Sequence, residues 1–186
     1  MSRLYSIFLL IAVLLMPRVS ESQNLSGPEA RLVGSDLFVT FSLGLEEKSI
    51  EAIRSGVDKE FRFHIDLFKV WKAWPDEFVL GKAYTRTVKA DPVKKEFVAT
   101  SNDGSVLIER RFKSFDSMLA WAVSFRDLKL ANVRELEPGQ YFVRITAESK
   151  IRKLPPVIGY LIIFVLSENE FRVVKDSAFF PIEGAR

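Results

Sequence analysis

The sequence predicts a mainly β protein: an antiparallel β-sandwich or a partly closed barrel of about eight or nine strands, with two short helices. One observation is a strand whose apolar residues alternate with polar ones, at Phe61, Phe63, Ile65 and Leu67. A period of two places apolar side chains on one sheet face, which needs a core beneath it. The same pattern recurs between Gly, Pro, Asn and Asp turn signals. Finally, 48% of the residues are hydrophobic and sixteen of the 186 are Phe, which is ample material for a packed core.

The first elements are predicted to be a hairpin and a helix. Ala30–Val33 is a short apolar run, and a Gly-Ser-Asp turn separates it from Leu37–Leu43, which alternates apolar and polar residues. Glu46–Ser55 predicts a helix, because two glutamates favour its positive end and its isoleucines share a face. Gly56 can end this helix in the left-handed conformation.

A meander of four strands is predicted next. It begins in the stretch Gly56–Trp74, where a change of phase after Leu67 indicates a β-bulge or burial on both faces. The Trp-Pro-Asp corner at the end of this stretch stops the strand, since Pro cannot donate to a ladder. Turn signals then separate three further strands, Phe78–Ala90, Glu96–Thr100 and Val106–Phe112.

The second helix and the last strands complete the domain. Ser114 suits an N-cap, and Phe115–Arg126 carries an apolar stripe that predicts a helix packed on the sheet. Leu128–Glu137 is expected to be irregular. Three strands are then predicted, at Gln140–Glu148, Val157–Leu166 and Phe171–Lys175. The middle one is uncharged and too short to cross a bilayer as a helix, which favours a strand buried on both faces.

The N-terminal residues 1–22 are predicted to be a secretory signal peptide, cleaved after Ser22. Arg3 supplies a positive start, and Leu4–Met16 is an apolar block of thirteen residues, interrupted by one serine. The alternative is an uncleaved anchor helix. Thirteen residues of helix span about 20 Å, which is short of the ~30 Å hydrocarbon core and favours cleavage. Residues 23–29 are then a linker, residues 30–186 a single β-rich domain, and the expected location is the periplasm.

The chemistry that the residues could support is limited. There is no Cys, which excludes thiol catalysis and iron–sulfur clusters, and the single His64 lies on a polar strand face. One histidine does not suit a zinc site, and no nucleophile-elbow or nucleotide-binding motif is present. The net charge is +3 with scattered Lys and Arg, which does not favour nucleic acid as a partner. The sequence therefore predicts a protein that is not an enzyme and needs no cofactor; an unrecognised hydrolase is a third, weaker hypothesis.

Two segments could form an interaction patch. In the first, aromatic residues alternate with lysines near the end of the long strand, and both residue types suit a boundary with a membrane or a partner. The second is a short basic stretch that could touch acidic lipid or protein. The ordinary alternatives are Trp side chains that cover the sheet end and a solvated loop. The predicted patch comprises Phe68, Lys69, Trp71, Lys72, Trp74, Lys150, Arg152 and Lys153.

Several landmarks follow one another in a specific order. They are Leu37–Leu43, Ser55-Gly56-Val57, Phe61-Arg62-Phe63, Trp74-Pro75-Asp76, Phe115-Asp116-Ser117, Leu136–Tyr141 and Leu154-Pro155-Pro156. In this order, from Ala30 to Phe180, the chain resembles a family of exported bacterial proteins, domain of unknown function 4390. The segments Phe68–Lys72 and Leu154–Pro156 are looser versions of the family's Arg-rich segment and LPxPL-type connector. The resemblance implies an envelope protein of Gram-negative-type bacteria, encoded in some lineages beside a sensor kinase, and it brings no catalytic residues.

The sequence and the resemblance together favour a non-enzymatic periplasmic protein that binds another envelope component, with a sensor kinase as the partner that gene context suggests. Peripheral membrane contact is compatible with the interaction patch. The alternative is a carrier of a small apolar ligand, because Phe-rich barrels and sandwiches can enclose one. The oligomeric state stays open.

Overall fold

The computed structural model describes residues 23–151 and 169–183, with the backbone alone for Lys150, Ile151 and Asn169. These residues form ten antiparallel strands, two α-helices and a 3-10 turn at Val133–Glu135. The strands are β1 (Asn24–Val33), β2 (Asp36–Gly44), β3 (Lys59–Lys69), β4 (Glu77–Asp91), β5 (Glu96–Asn102), β6 (Leu107–Phe112), β7 (Ser124–Asn132), β8 (Gly139–Ile151), β9 (Asn169–Asp176) and β10 (Phe180–Ile182). The helices are α1 (Glu47–Arg54) and α2 (Phe115–Val123).

The strands are arranged in two sheets. The smaller sheet has the order β1-β2-β7, and the larger one has the order β10-β8-β3-β4-β5-β6. Strand β9 pairs with the same edge of β8 as β10 does, farther along the strand. The predicted mainly β fold with antiparallel sheets and two short helices is confirmed. The meander β3-β4-β5-β6 and the irregularity after Leu67, between β3 and β4, are also as predicted.

The core lies between the two sheets. The odd positions of β3 from Phe61 to Leu67 are fully buried, as the alternation predicts. The Phe63 ring meets Phe125 of β7 at a centroid distance of 5.1 Å and Phe41 of β2 at 5.9 Å. Phe41 and Phe125 stack on each other at 4.8 Å. Each aromatic pair adds about 0.5–1.5 kcal/mol to what area burial contributes, so this triad joins the layers strongly.

The two sides of the sandwich are joined differently. On one side β1 lies beside β9, and Lys175 Nζ donates a hydrogen bond of 2.7 Å to the Leu25 carbonyl oxygen. On the other side β6 and β7 are edge strands, each paired with one neighbour among the described strands. The sheets are therefore not closed into a barrel, and a cleft lies along the open side.

The helices differ in how well the sequence predicts their ends. The Ser114 side chain accepts a hydrogen bond from the Ser117 N–H at 3.3 Å, which is the predicted N-cap of α2. The prediction that this helix continues to Arg126 is wrong, because Ser124 is already extended and begins β7. The prediction of an irregular segment at Leu128–Glu137 is wrong in part, because its first five residues, up to Asn132, belong to β7. Phe125, the last residue of the predicted apolar stripe, reaches the core from this strand instead of from the helix.

Other boundaries also differ from the prediction. The expected linker at 23–29 is mostly strand, because β1 begins at Asn24 and pairs with β2 on both sides of a bulge between Ser26 and Glu29. The long strand at 56–74 is shorter, since β3 covers Lys59–Lys69. Strand β10 has no counterpart in the prediction. The signal peptide at 1–22, the strand Val157–Leu166 and the basic residues Arg152 and Lys153 lie outside the described residues.

Gly56 ends α1 with φ +99°, as predicted, and offers a test of that backbone conformation. A Cβ added at Gly56 would lie 3.4 Å from the Ala90 carbonyl oxygen, and one added at Gly44 would lie 3.4 Å from that of Asn24. An added methyl group would therefore be equally close to its nearest neighbour at both glycines, but Gly44 does not have a positive φ. We expect Gly56→Ala to lower the free energy of unfolding by about 1–3 kcal/mol more than Gly44→Ala does.

Urea unfolding of the two variants measures this difference. Both substitutions restrict the unfolded chain equally, so that contribution cancels in the comparison. Equal losses in the two variants would contradict a special role for the left-handed conformation of Gly56.

Candidate functional site

A row of four aromatic rings crosses the outer face of the larger sheet. Phe68 of β3 stacks on Phe142 of β8 at a centroid distance of 5.3 Å and an interplanar angle of 10°. Phe78 of β4 meets the other side of Phe68 edge-on at 5.9 Å, and Phe179 meets Phe142 at 5.6 Å. Register explains three of these rings, because Phe68 lies opposite both Phe78 and Phe142, whereas Phe179 comes from the segment between β9 and β10. We call Phe179, Phe142, Phe68 and Phe78 the aromatic row.

Exposure increases from the middle of the aromatic row to its ends. Phe142 is 2% exposed and Phe68 is half-buried. Phe78 is 56% exposed and Phe179 is 67% exposed, so each end presents most of a ring to solvent. Clustered exposed rings on an outer sheet face are typical of a surface that is covered by another molecule.

The charges around the aromatic row are mainly acidic. The Arg144 guanidinium lies 5.1 Å from the Phe68 ring centroid and 5.4 Å from that of Phe142, and it donates two hydrogen bonds, of 2.7 and 2.8 Å, to Asp176. That hydrogen bonding raises the pKa of Arg144, and the charges of Asp76 and Asp66 add to the effect. Partial burial raises the pKa of the Asp66 carboxyl, whereas the interactions with His64 and Arg144 act to lower this pKa. Three carboxylates therefore surround one guanidinium.

The predicted Trp residues lie in the loop between β3 and β4 and are exposed. Trp71 is 46% exposed, and its Nε1 donates a 3.0 Å hydrogen bond to Glu77. Trp74 is 76% exposed and makes no hydrogen bond or ring contact with the described part of the chain. Lys72 is also exposed. The Trp side chains therefore do not supply core area, and they extend the apolar surface at this end of the sheet.

Lys69 belongs to the inner side of the sheet end and contributes little to an exposed patch. It is 9% exposed, and its Nζ donates a 2.5 Å hydrogen bond to Glu137. This hydrogen bond raises the pKa of Lys69 and lowers that of Glu137. The Tyr141 hydroxyl donates to the Glu137 carbonyl oxygen at 2.7 Å, which fixes the same loop. Lys69 thus stabilises the sheet end.

The basic half of the predicted patch is not brought to the same place. Lys150 pairs with Glu60 and Phe142 pairs with Phe68, so eight residues of β3 separate the two positions. At about 3.3 Å per residue this separation is roughly 26 Å. Lys150 therefore lies at the opposite end of the sheet from the aromatic row.

His64 lies exposed on the outer face, opposite Ala83 and Thr146 in the neighbouring strands, as predicted for a polar strand face.

Within residues 23–151 and 169–183, no group of three His, Cys, Asp or Glu side chains could hold a metal ion. The helices in these ranges are also too short or too polar to span a membrane.

A second concave surface lies where the sandwich is open, between β6 on one side and the junction of α2 with β7 on the other. We call it the seam cleft; it has a volume of about 570 Å³. Its wall combines cationic and aromatic side chains from both sheets and from α2, including Tyr84, Arg86, Arg110, Trp121, Phe125 and Lys129.

Arg86 reaches the seam cleft from the inner face of β4. It is 7% exposed, and its guanidinium lies 3.5 Å from the Phe125 ring centroid and 4.6 Å from that of Trp121. Its Nη1 donates to the carbonyl oxygens of Trp121 and, at 2.7 Å, of Ser124. Burial lowers the pKa of Arg86 to about 10, and the charge of Arg110 adds to that lowering. Arg86 is therefore still charged at neutral pH.

The residues of both surfaces were only partly predictable. Phe68, Trp71, Lys72 and Trp74 were predicted and are at least partly exposed, whereas the prediction missed Phe78, Phe142 and Phe179. The seam cleft was missed entirely. One signal for it was available, because Arg86 interrupts an otherwise apolar set of alternating positions between Tyr84 and Val88.

Comparison with known proteins agrees with the resemblance. No curated protein and no solved structure matches the chain. The family model described as a domain of unknown function, DUF4390, matches residues 25–169, which is most of the chain. The protein therefore belongs to the DUF4390 family.

Proposed function

We propose that this protein is an exported, periplasmic binding module without enzymatic activity, which docks a protein of the cell envelope through the aromatic row. The leader at 1–22 directs export and is cleaved after Ser22. The observation that carries the proposal is the exposure of Phe78 and Phe179 at the two ends of a stacked row on an outer sheet face. Rings held in place by contacts with neighbouring rings offer contact area at little cost in side-chain entropy.

The surrounding charge favours a protein partner over a lipid surface. Asp66, Asp76 and Asp176 surround Arg144, so a bilayer rich in anionic lipid would be repelled by this face. A protein that presents apolar side chains flanked by Lys or Arg would match both the rings and the carboxylates. The partner is therefore expected to be apolar at its centre and basic at its rim.

The extracytoplasmic region of a sensor kinase is the partner class that the family resemblance suggests. Docking there would let the protein alter the output of the kinase by binding one of its conformations better than another. This version of the proposal predicts that deleting the protein changes kinase output, and that variants of the aromatic row have the same effect as the deletion.

Photo-crosslinking in the native host tests the docking surface. A photoreactive phenylalanine analogue is placed at Phe78, at Phe179 or at Val93, which is 91% exposed in the β4–β5 turn and serves as the control. We expect both aromatic-row positions, but not position 93, to give crosslinks to one envelope protein that mass spectrometry identifies. The purified extracytoplasmic region of that protein should then bind wild type at least about tenfold more tightly than Phe78→Ser/Phe179→Ser.

Several results would contradict the proposal. Crosslinks to lipid alone would replace the protein partner by a membrane surface, and crosslinks to a second copy would indicate self-association. Equal affinity of the double variant and wild type would remove the aromatic row from the interface. Circular dichroism of the double variant serves as the folding control, and both replaced side chains are mostly exposed.

A small-ligand carrier is the second candidate, and the seam cleft favours it. The space between the sheets is filled where Phe41, Phe63 and Phe125 meet, so a ligand would not lie at that point. The seam cleft, at about 570 Å³, falls within the roughly 300–1,000 Å³ range of small-molecule sites. Native mass spectrometry of protein purified from its host distinguishes this candidate by a bound small-molecule mass.

A further inference from the structure

Arg86 is a buried cation with no carboxylate partner among the described residues. Its Nη1 caps carbonyl oxygens at the end of α2, which explains one of its three nitrogens. Its Nε is buried without a hydrogen-bond partner. Its Nη2 makes no hydrogen bond to the described residues and, unlike Nε, retains accessible surface where the side chain lines the seam cleft. A buried charge is stable when an opposite charge is near, so this arrangement is incomplete without an anion.

A second arginine shares the same indole ring. The Arg110 guanidinium lies 5.5 Å from the centroid of Trp121, and that of Arg86 lies 4.6 Å from it. Arg110 forms no ion pair within the described part of the chain, and its positive charge repels that of Arg86. The two like charges repel each other, and an anion in contact with both would offset that repulsion.

The carboxylates near the seam cleft are engaged elsewhere. Asp103, whose charge acts on Tyr84, accepts hydrogen bonds from the N–H groups of Ser105 and Val106, and three others pair with cations. Asp127 pairs with Arg31 at 2.6 Å, and Asp36 pairs with Lys129 at 2.9 Å. On β6, Glu109 pairs with Arg111 at 3.8 Å. Neither Arg86 nor Arg110 is therefore paired with a carboxylate of the described residues, and the wall of the seam cleft contains two positive charges without an ion-pair partner there.

We infer that the seam cleft binds a small anionic amphiphile, whose phosphate or carboxylate group pairs with Arg86 and Arg110 and whose apolar part lies against Trp121 and the exposed side chain of Ile108. Guanidinium groups are well suited to both kinds of oxyanion. Tyr84 also lines the cleft, and a tyrosine hydroxyl can donate a hydrogen bond to an oxyanion. This site is separate from the aromatic row, so it can be tested independently of docking, and it names the ligand class for the carrier that we propose as the second candidate.

Trp121 itself can report binding, because the chain contains three Trp residues and the other two lie in the loop between β3 and β4. In a Trp71→Phe/Trp74→Phe background, Trp121 is the sole indole. The probes are octyl phosphate, octanoate, inorganic phosphate and, as the opposite charge, octyltrimethylammonium. We expect a saturable change in Trp121 fluorescence with at least one of the two acidic amphiphiles, and weaker binding at higher salt. The acid that binds more tightly identifies the preferred headgroup. Inorganic phosphate that binds as tightly as octyl phosphate would overturn the inference of an amphiphile, because the apolar part would then contribute nothing.

Adjacent arginines on β6 provide matched variants. Arg110→Gln should weaken binding of the acidic amphiphile by about tenfold or more, since it removes a charge-assisted hydrogen bond in the cleft. Arg111→Gln removes the same charge one residue away, where the side chain is paired with Glu109, and should leave the affinity within about twofold of wild type. Phe78→Ser/Phe179→Ser should also bind normally.

The inference is overturned by no saturable response to either acidic amphiphile, by equal binding of octyltrimethylammonium, or by equal losses in Arg110→Gln and Arg111→Gln. Arg86→Lys supplies a second variant that keeps the positive charge but not the fork of nitrogens. Folded Arg86→Lys, verified by circular dichroism, should bind at least about tenfold more weakly than wild type. Unchanged affinity in that variant would exclude Arg86 from the site.

Discussion

Replacement of Phe63 by alanine is expected to lower the free energy of unfolding by about 3–5 kcal/mol. The side chain is fully buried, and its ring contacts Phe41 and Phe125 of the opposite sheet. Truncation removes apolar surface from the interior and leaves a cavity that rigid neighbouring rings cannot fill. Urea unfolding followed by far-ultraviolet circular dichroism measures the loss.

Phe179→Ala is the matched control, because it removes the same atoms from a position that is 67% exposed. That change should cost less than about 1 kcal/mol. A loss for Phe63→Ala no larger than that for Phe179→Ala would mean that the aromatic triad does not hold the two sheets together. It would also remove the physical basis for describing the protein as a sandwich with a filled interior.

The parts of the fold that could be predicted are those in which local pattern and tertiary environment agree. In β3, polar and apolar residues alternate without interruption from Glu60 to Leu67, and the structure buries the apolar set. Strands β4 to β6 follow in sequence order and pair with their neighbours, because each connection is a short turn marked by Asp, Asn, Gly or Pro. The pairing of antiparallel neighbours joined by short turns can therefore be predicted from the local sequence.

Strand β7 could not be predicted in the same way, because its alternation is broken. Its pairing with β2 shifts register twice, and Asp127 has φ +48°. As a result Leu130 and Ala131, which are adjacent, are both buried. A test for alternation with a period of two fails on such a strand, whereas its first residues, up to Phe125, continue the helical stripe of α2. The packing of Phe125 against Phe41 and Phe63, a tertiary contact, decides the outcome.

The two candidate surfaces were predictable to different degrees for the same reason. The exposed aromatic residues after the end of β3 stand out in the sequence because Trp alternates with Lys there and a Pro follows. Phe142 and Phe179 join them only through register with β8 and through the segment after β9. The seam cleft depends on two strands, β6 and β7, that share no hydrogen bonds with each other, so no local pattern indicates it.

The other end of the larger sheet contains a buried ion pair that gives the second large prediction. Lys59 at the start of β3 is 1% exposed, and its Nζ donates to both oxygens of Glu170, at 2.9 and 2.8 Å, and to the Ser49 hydroxyl at 3.0 Å. The Glu170 side chain is 26% exposed and also accepts from the Ser149 hydroxyl at 3.3 Å. The pair links β3 to β9 and α1, and its two charges differ in their access to water.

This asymmetry makes the two single substitutions unequal. Glu170→Ala should lower the free energy of unfolding by about 3–5 kcal/mol, because it leaves an ammonium group buried without an anion. Lys59→Met should cost less, about 1–2 kcal/mol, since the remaining carboxylate can be hydrated and methionine fills most of the volume of the lysine stem. The double variant should then be more stable than Glu170→Ala alone, because it removes the stranded charge. Urea unfolding of wild type, both single variants and the double variant gives the coupling free energy of the pair from a double-mutant cycle. Losses that simply add would show that water reaches Lys59 and that the pair behaves as a surface salt bridge.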